Sequence, residues 1–409
     1  MGKTEYGKNL DIASKKKVLD NLIKAGYSNL VLSTKEPLYS DDFIEFLKYC
    51  RRSNVIVSIA TNGTLISEAF TEELFKGYVD YLAISLEGLS PDTNDYVRGK
   101  GSYEKTISGI KAIKRNNEDL QKKYIPIILQ INITPLNVKE IIDCLNSFVD
   151  DYSIYEVVIG GIIRYGNAKD NDEITLQYSE YVKILRKIAE HFSKTDLKSK
   201  LKFKDLMPYD MILINLSYGY SFEHKVPYCR ICEGKSFSIM PDGTLCRCSL
   251  LLNTGIISND DLIIKHNASS GLKNIQIENI TSKYVIKKDG YCKKCKFKEE
   301  CNICYLYTTN YCVNKEIVTA CEQSHRRYEK IINSILGGKI KFKLNASVVI
   351  QDLDSGIQLT SLKGINHKLP GVSISEAQRI LKPICFSDVE LSPEDLESLI
   401  IFNFIDVCV

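Results

Sequence analysis

The sequence predicts an α/β chain: alternating strands and helices that build a parallel sheet, then a cysteine-rich region, then a small α+β tail. Three observations carry this prediction. Over the first 165 residues, short Val/Ile-rich runs alternate with stretches of helical periodicity. Ten of the fourteen cysteines fall between Cys229 and Cys321. The composition, 44% hydrophobic and 26% charged, is that of an ordinary globular chain, which excludes a largely disordered or fibrous one.

The elements follow in order. Ser14 to Ala25 is predicted helical, with Val18, Leu19, Leu22 and Ile23 at helical spacing. Asn29 to Ser33 reads as a buried strand and Asp41 to Arg52 as the next helix. Strand Val55–Thr61, helix Ser67–Lys76, strand Tyr78–Glu87 and helix Ser102–Asn116 come next, then strand Ile125–Thr134, helix Val138–Asp150 and strand Tyr155–Arg164. Five strands separated by helices imply right-handed βαβ units and a parallel sheet, open or barrel-like. Ligands of such folds sit outside the carboxyl ends of the strands. Thr61-Asn62-Gly63, Ser85-Leu86-Glu87-Gly88 and Gly160-Gly161 lie at such ends, either as ligand-approaching loops or as plain βα turns. Tyr178 to Lys194 is a further helix, followed by a connector of mixed character. Beyond the cysteines, Arg326 to Leu336 reads as a helix broken at Gly337-Gly338. The tail is expected to hold a hairpin (KIKFKL, then ASVVIQ), a helix near Ser375–Leu381 and another opened by Ser392-Pro393-Glu394-Asp395.

Charge excludes one class of partner. Lys+Arg total 54 and Asp+Glu 51, so a net +3 gives no footprint for nucleic acid. No apolar run approaches the ~20 residues of a membrane span. No apolar segment follows the lysines at the start, so no signal peptide is expected and the chain reads as cytoplasmic. In that compartment dense cysteine means metal more often than disulfides. Cys292-x2-Cys295-x5-Cys301-x2-Cys304 is followed after sixteen residues by Cys321. Cys229 and Cys232, and Cys246 and Cys248, flank Met240-Pro241-Asp242-Gly243, which reads as a turn between two strands. At least eight candidate thiolates mean two four-ligand sites, and zinc and iron–sulfur both accept four thiolates. Lys287, Lys288, Lys293, Lys294, Lys296 and Lys298 crowd the second group, either offsetting a cluster's negative charge or forming a solvated face. Cys50, Cys144, Cys385 and Cys408 stand alone and are expected to be small core residues. The scattered His191, His224, His266, His325 and His367 are expected to be structural or exposed.

This cysteine spacing resembles the SPASM domain of radical S-adenosylmethionine (SAM) enzymes, with one departure, two spacers for three before Cys304. The resemblance extends back through Glu36-Pro37-Leu38, Thr61-Asn62-Gly63-Thr64-Leu65, Ser85-Leu86-Glu87-Gly88 and Arg98-Gly99-Lys100-Gly101-Ser102-Tyr103, and covers about four-fifths of the chain. It implies a partial (β/α) radical-SAM-type barrel lacking its first strand over 1–195, a connector over 196–228, the SPASM domain over 229–336 and a C-terminal extension over 337–409. It further implies two auxiliary [4Fe-4S] clusters, one on Cys229, Cys232, Cys248 and Cys304, the other on Cys292, Cys295, Cys301 and Cys321. Cys246 stands as an alternative to Cys248, and Cys312 to Cys321. Glu36, Asn62, Ser85 and Glu87 would contact S-adenosylmethionine where it binds.

Two departures bear on activity. The catalytic C-x3-C-x2-C of the family has no counterpart here, since Cys50 is the first cysteine and sits in a predicted helix. The chain reads as beginning inside the loop after that motif. Where the family has Gly-Gly-Glu-Pro, this sequence has Thr34-Lys35-Glu36-Pro37. A lysine there adds bulk and sets a like charge near the cofactor's ammonium, about 1 kcal/mol at ~4 Å in water, so S-adenosylmethionine binding is expected to be weakened. The double departure favours a pseudoenzyme accessory to ribosomal peptide maturation, binding peptide or passing electrons beside an active maturase. The alternatives are an active maturase whose motif lies outside this sequence, and a structural two-zinc protein.

Overall fold

The computed structural model describes residues 9–33, 36–76, 78–119, 121–162, 168, 171–220, 222, 236–249, 251–252, 257–267, 290–298, 301, 308–309, 312–344, 348–353, 356–361, 366–370, 372–389, 391–401 and 404–408, with backbone alone at 265–267, 308–309, 312–313 and 361. Six parallel strands form its main sheet: β1 (Asn29–Ser33), β2 (Ile56–Thr61), β3 (Tyr81–Ser85), β4 (Ile127–Ile133), β5 (Glu156–Gly161) and β6 (Leu201–Phe203). They lie side by side in chain order. With right-handed crossovers, a sheet that always advances in one direction puts every connecting helix on the same face, the arrangement of a partial barrel. The helices are α1 (Ile12–Lys24), α2 (Phe43–Arg52), α3 (Glu68–Leu74), α4 (Pro91–Arg98), α5 (Ser102–Asn117), α6 (Val138–Asp151), α7 (Tyr178–Phe192), α8 (Leu197–Lys200) and α9 (Pro208–Tyr218).

The two faces of the sheet differ in chemistry. Strand side chains alternate, and register aligns Ile59, Leu82 and Ile127 in one row and Ile84, Leu129 and Val157 in the next, with Val57 and Ile159 on the same face. All eight are buried against the helices. The opposite face carries Ser33, Ala60, Ser85, Gln130 and Asn132, which are half-buried or exposed, with Val31 and Ile56 more than half exposed. Parallel sheets are ordinarily apolar and covered on both faces. Among the described residues, the inner face of this one is covered only in part, Ser58, Ala83 and Val158 being buried on it.

After β6 the chain builds a second core. The strands β7 (Ser238–Ile239), β8 (Thr244–Cys246) and β9 (Ile263–Asn267) form a small antiparallel sheet. Its β7–β8 turn is the Met240–Gly243 turn expected from sequence: Gly243 sits at φ +86°, and its N–H donates to Met240 O at 2.9 Å. A Cβ at Gly243 would stand 3.1 Å from Leu10, whose own N–H donates to Pro241 O. Helix α1 thus has two seats. Leu19 enters the main core, while Val18 and Leu22 pack with Leu245 and Ile264 of the small sheet.

Strands β10 (Thr308–Thr309) and β11 (Cys312–Val313) pair ahead of a long helix, Lys315–Leu336. The C-terminal segment adds β12 (Lys341–Leu344), β13 (Val348–Leu353), β14 (Gly356–Ser361), β15 (Asn366–Pro370) and β16 (Ile405–Cys408), with helices Ile374–Arg379 and Pro393–Ile401. Its core residues, Phe342, Leu359, Leu396 and Phe404 among them, share one cluster with Tyr209, Ile212 and Leu216 of α9 and with Tyr328 and Ile335 of the long helix. Helix α9 is apolar on nearly every side because both flanks are covered: Met211 and Ile214 face the first core, and Ile212 and Leu213 the second. Among the described residues, no helix is long and apolar enough to cross a membrane.

Several expectations are corrected. The sheet has a sixth strand, β6, and the mixed connector holds α9; α4 was also unforeseen. The helix expected from Arg326 starts at Lys315, so Cys321 lies on it. KIKFKL does not form a hairpin with ASVVIQ: β12 pairs with the last strand β16, and β13 pairs with β14. Cys50 is fully buried and its thiol pushed up to about 12 by that burial. Cys144, expected in a core, is exposed, because it falls on the solvent side of α6, away from Ile141, Leu145 and Phe148. The apolar run at 400–405 is core where described, with Ile400, Phe404 and Ile405 buried.

Candidate functional site

The carboxyl ends of β1 to β4 bring together the four residues assigned to the cofactor. Glu36 caps the short turn Pro37–Tyr39, accepting from Leu38 N at 3.2 Å. The same carboxylate accepts from Thr61 Oγ1 at 2.7 Å and from Asn62 N at 2.8 Å, which ties the β1 loop to the end of β2. Asn62 folds its side chain onto Thr64, accepting from its N at 2.8 Å and Oγ1 at 2.7 Å. Gly63, at φ +76°, follows where the loop passes Thr106 and Ile84. Ser85 ends β3 on the inner face, half-buried.

Glu87 is 3% exposed and fully engaged. Its Oε1 accepts from Arg98 Nη2 at 2.7 Å and Asn132 Nδ2 at 3.1 Å, and its Oε2 from Asn132 N at 2.8 Å. Asn94 and Asn137 bind its backbone. A buried carboxylate is tolerated only with this degree of pairing. Glu87 therefore locks β3 to β4 and fixes Arg98, whose buried Nε has no partner among the described residues. Glycine at 88 is required for space, since a Cβ would overlap Thr93 Oγ1 and the Asn94 backbone.

The second centre lies at the cysteines. Gly290–Lys294 forms a 3-10 turn carrying Cys292, followed by Cys295 and then Cys301, whose N–H donates to Phe297 O at 2.8 Å. Cys321 comes from the long helix. Burial raises the Cys321 thiol far above its ordinary value, and next in order come the charges of Asp210, Cys301, Cys292 and Cys295. Cys301, Cys292 and Cys295 are therefore each within charge range of Cys321. Around a single zinc ion, thiolates lie about 3.8 Å apart given Zn–S of ~2.3 Å. Among the described residues no three His, Cys, Asp or Glu groups gather to hold one metal ion. As a donor set, four soft thiols on a turn and an adjoining helix fit an iron–sulfur cluster. Tyr291 and Tyr209 border the site, both phenols raised first by burial and also by Cys295. His325 stacks on Tyr209 at 4.4 Å, a structural role.

Of the other quartet, Cys248 is buried beside β8, where Cys246 is also buried, its thiol raised to about 11 by burial. Cys229, Cys232 and Cys304 lie outside the described residues, as do Thr34 and Lys35; of Cys312 the backbone alone is described.

Sequence reading missed a buried polar knot behind Cys321. Asp210, 1% exposed, accepts from Tyr178 OH at 2.8 Å, Arg186 Nη2 at 2.8 Å and Ser324 Oγ at 2.6 Å. A lone acid in the otherwise apolar run Pro208-Tyr209-Asp210-Met211-Ile212-Leu213 was the available signal.

A partial barrel with loops at its carboxyl ends is followed by a second region that carries the cysteines. Residues 2–145 match the model of the radical SAM superfamily. The fold is similar to that of Streptococcus suis SuiB, in a structure bound to S-adenosylmethionine (TM-score 0.55, 16% identity, 77% of this chain and 72% of that one). It is equally similar to SuiB bound to the precursor peptide SuiA (TM-score 0.56, 16% identity, 77% and 71%). In sequence, the chain is 28% identical over 191 residues to an AdoMet-dependent heme synthase of Methanosarcina barkeri, spanning 46% of this chain and 50% of that protein. It is 30% identical over 123 residues to the mycofactocin maturase MftC of Mycolicibacterium smegmatis, spanning 30% and 31%. The chain thus spans half or less of the length of these curated relatives.

Proposed function

We propose that this chain is a SPASM-type radical SAM protein that carries two auxiliary [4Fe-4S] clusters and serves in the maturation of a ribosomally made peptide. The observation that supports this reading is the spacing of the cysteines in the sequence, with Cys292, Cys295 and Cys301 each close enough to act on the Cys321 thiol. One cluster would be held by these four, the other by Cys229, Cys232, Cys248 and Cys304. When bound, such clusters supply one-electron transfer or a Lewis-acidic anchor. The chain's own contribution is the inner face, where Ser85, Gln130 and Asn132 offer hydrogen bonds to a peptide backbone and the small Ala60 leaves room for it. Peptide as substrate draws support from the SuiB structure bound to its precursor peptide and from the maturase MftC.

Within this reading the chain acts as an accessory to an active maturase rather than as the catalyst. Thr34-Lys35 stands where the resemblance expects two glycines. The active-enzyme reading is favoured by one observation, that the similar SuiB fold binds S-adenosylmethionine; there Glu36, Asn62, Ser85 and Glu87 would surround the cofactor.

The test is iron, sulfide and zinc per chain on anaerobically reconstituted protein, with S-adenosylmethionine binding followed by calorimetry. About eight irons, matching sulfide and no S-adenosylmethionine binding are expected. About twelve irons with tight binding would replace the accessory by an enzyme. Two zincs without sulfide would overturn the cluster assignment.

A further inference from the structure

At the carboxyl end of β5 the inner face of the sheet carries a glycine. Gly160 follows Val158 on that face, and register sets it beside Asn132 of β4. Its φ is not positive, so its small size matters here and its backbone freedom does not. A Cβ built on Gly160 would have as its three nearest atoms Asn132 Oδ1 at 3.2 Å, Asp205 Oδ2 at 3.6 Å and Lys204 Cβ at 3.8 Å. Gly160 is a buried floor, and two half-buried side chains bring acceptor oxygens over it.

Neither oxygen is there by accident of rotation. Asn132 donates through Nδ2 to Glu87 Oε1 at 3.1 Å and through its N–H to Glu87 Oε2 at 2.8 Å. The Glu87 carboxylate, held also by Arg98, only accepts, so the amide turns nitrogen towards it and oxygen towards Gly160. Asp205 arrives by leaving the strand pattern. Leu201 and Phe203 of β6 pair with Val157 and Ile159 on the helix-covered face, and alternation would send Asp205 to that same face. Its backbone instead takes φ +58°, and its carboxyl stands over Gly160. A non-glycine residue keeps such a conformation where its surroundings hold it. Lys204 N–H donates to Ile159 O at 2.8 Å, Lys204 O accepts from Tyr181 OH at 2.7 Å, and Met207 N–H donates to Tyr178 OH at 2.7 Å. Asp205 makes a further contact of its own, and with about four acceptor positions a carboxylate is not exhausted by one partner.

We propose that Asn132 Oδ1 and Asp205 Oδ2, converging above Gly160, form a subsite for the ammonium group of a lysine side chain in the peptide. The proposal deepens the peptide reading above and rests on it. An ammonium donates from three hydrogens and accepts nothing, which matches oxygens arriving from two sides. It is also compact on a slim stem, which suits a glycine floor better than a planar guanidinium does. The bond to the carboxylate is charge-assisted and so the stronger of the two.

The test is calorimetric titration of the reconstituted full chain with two probes, acetyl-Gly-Gly-Lys-Gly-Gly-amide and its norleucine counterpart, which differ only in the ammonium. Wild type is expected to bind the lysine peptide about tenfold more tightly than the norleucine peptide. Asp205→Asn removes the charge and keeps a residue that tolerates the left-handed backbone, so it should abolish that preference. Gly160→Ala, which sets a methyl between the two oxygens, should abolish it too. Asp196→Asn takes an equal charge from an exposed position and should leave the preference within about twofold. A preference that survives Asp205→Asn, or falls equally in Asp196→Asn, would overturn the proposal. S-adenosylmethionine also carries an ammonium, and tenfold weaker binding of it in Asp205→Asn would assign the subsite to the cofactor and overturn the peptide assignment. Equal binding of both peptides to wild type would remove the subsite and leave the peptide reading standing, whereas binding of neither would remove both. If Gly160→Ala does not fold, the contrast between Asp205→Asn and Asp196→Asn decides alone.

Discussion

Arg98→Met removes the more exposed partner of the carboxyl-end network, yet it should cost more than Glu87→Gln. In that pair the carboxylate side chain is 4% exposed and the guanidinium 26%. Without the arginine, an anion remains in the interior with only the two Asn132 donors, at 2.8 and 3.1 Å, to hold it. Breaking a buried pair from that side costs about 3–5 kcal/mol. Glu87→Gln preserves shape and leaves a cation that reaches water, so the loss is that of charge-assisted hydrogen bonds, about 1.5–3 kcal/mol. The double replacement leaves no stranded charge and should fall short of the sum by about 1–3 kcal/mol. Urea unfolding followed by circular dichroism reads all three as midpoint shifts at constant slope. A Glu87→Gln loss as large as that of Arg98→Met, or strict additivity in the double variant, would refute the view that Glu87 is the charge the interior must hold.

Further outcomes follow from particular contacts. Gly88→Ala should destabilise by about 1–3 kcal/mol through overpacking, because the new Cβ meets the Thr93 hydroxyl and the Asn94 backbone; an unchanged urea midpoint would refute the close approach. Leu245→Ala should cost about 2–5 kcal/mol and speed proteolysis in α1, since Val18 and Leu22 lose their seat. Cleavage elsewhere first would count against α1 depending on the small sheet. The Asp95 carboxyl is held below its ordinary 3.8, first by the N–H of Tyr103, then against burial by Gly101 N–H and Ser102. A depressed native pKa stabilises in full above the ordinary value and is lost as pH falls through the native one. The advantage of wild type over Asp95→Asn, measured by urea midpoint, should therefore be present at neutral pH and disappear on acidification; an advantage persisting at pH 2 would refute it.

The first five strands were legible from short Val/Ile/Leu-rich runs, but Asn29–Ser33, expected to be buried, has no buried residue because it lies at the edge of the sheet, and Ile127–Ile133 alternates instead of being apolar throughout. Strand β6, three residues long, is too short for any pattern. Helix α9 escaped for the opposite reason, since apolar residues on every side erase helical periodicity. In the tail, alternation identified Lys341–Leu344 as a strand but said nothing of its partner, which lies at the far end of the segment. The start of the long helix was hidden by reading Cys321 as a ligand spacing alone, although Ile317, Ala320 and Ser324 already mark a buried stripe around it. At the candidate site, Glu36, Asn62, Ser85 and Glu87 were assigned through the family resemblance, and all four fall at or just after strand ends. What sequence could not show is that Glu87 spends both oxygens on Arg98 and Asn132, because those partners come from other loops.

Helix α9 has a consequence for how the molecule comes apart. Its opposite sides belong to different cores, and the Lys315–Leu336 helix likewise gives Ile317 and Ala320 to one and Tyr328 and Ile335 to the other. Neither core can melt without exposing half of a helix that the other still needs. Two hydrophobic centres joined in this way share one cooperative transition, and a calorimetric scan should show a single endotherm where the chain length alone would suggest two.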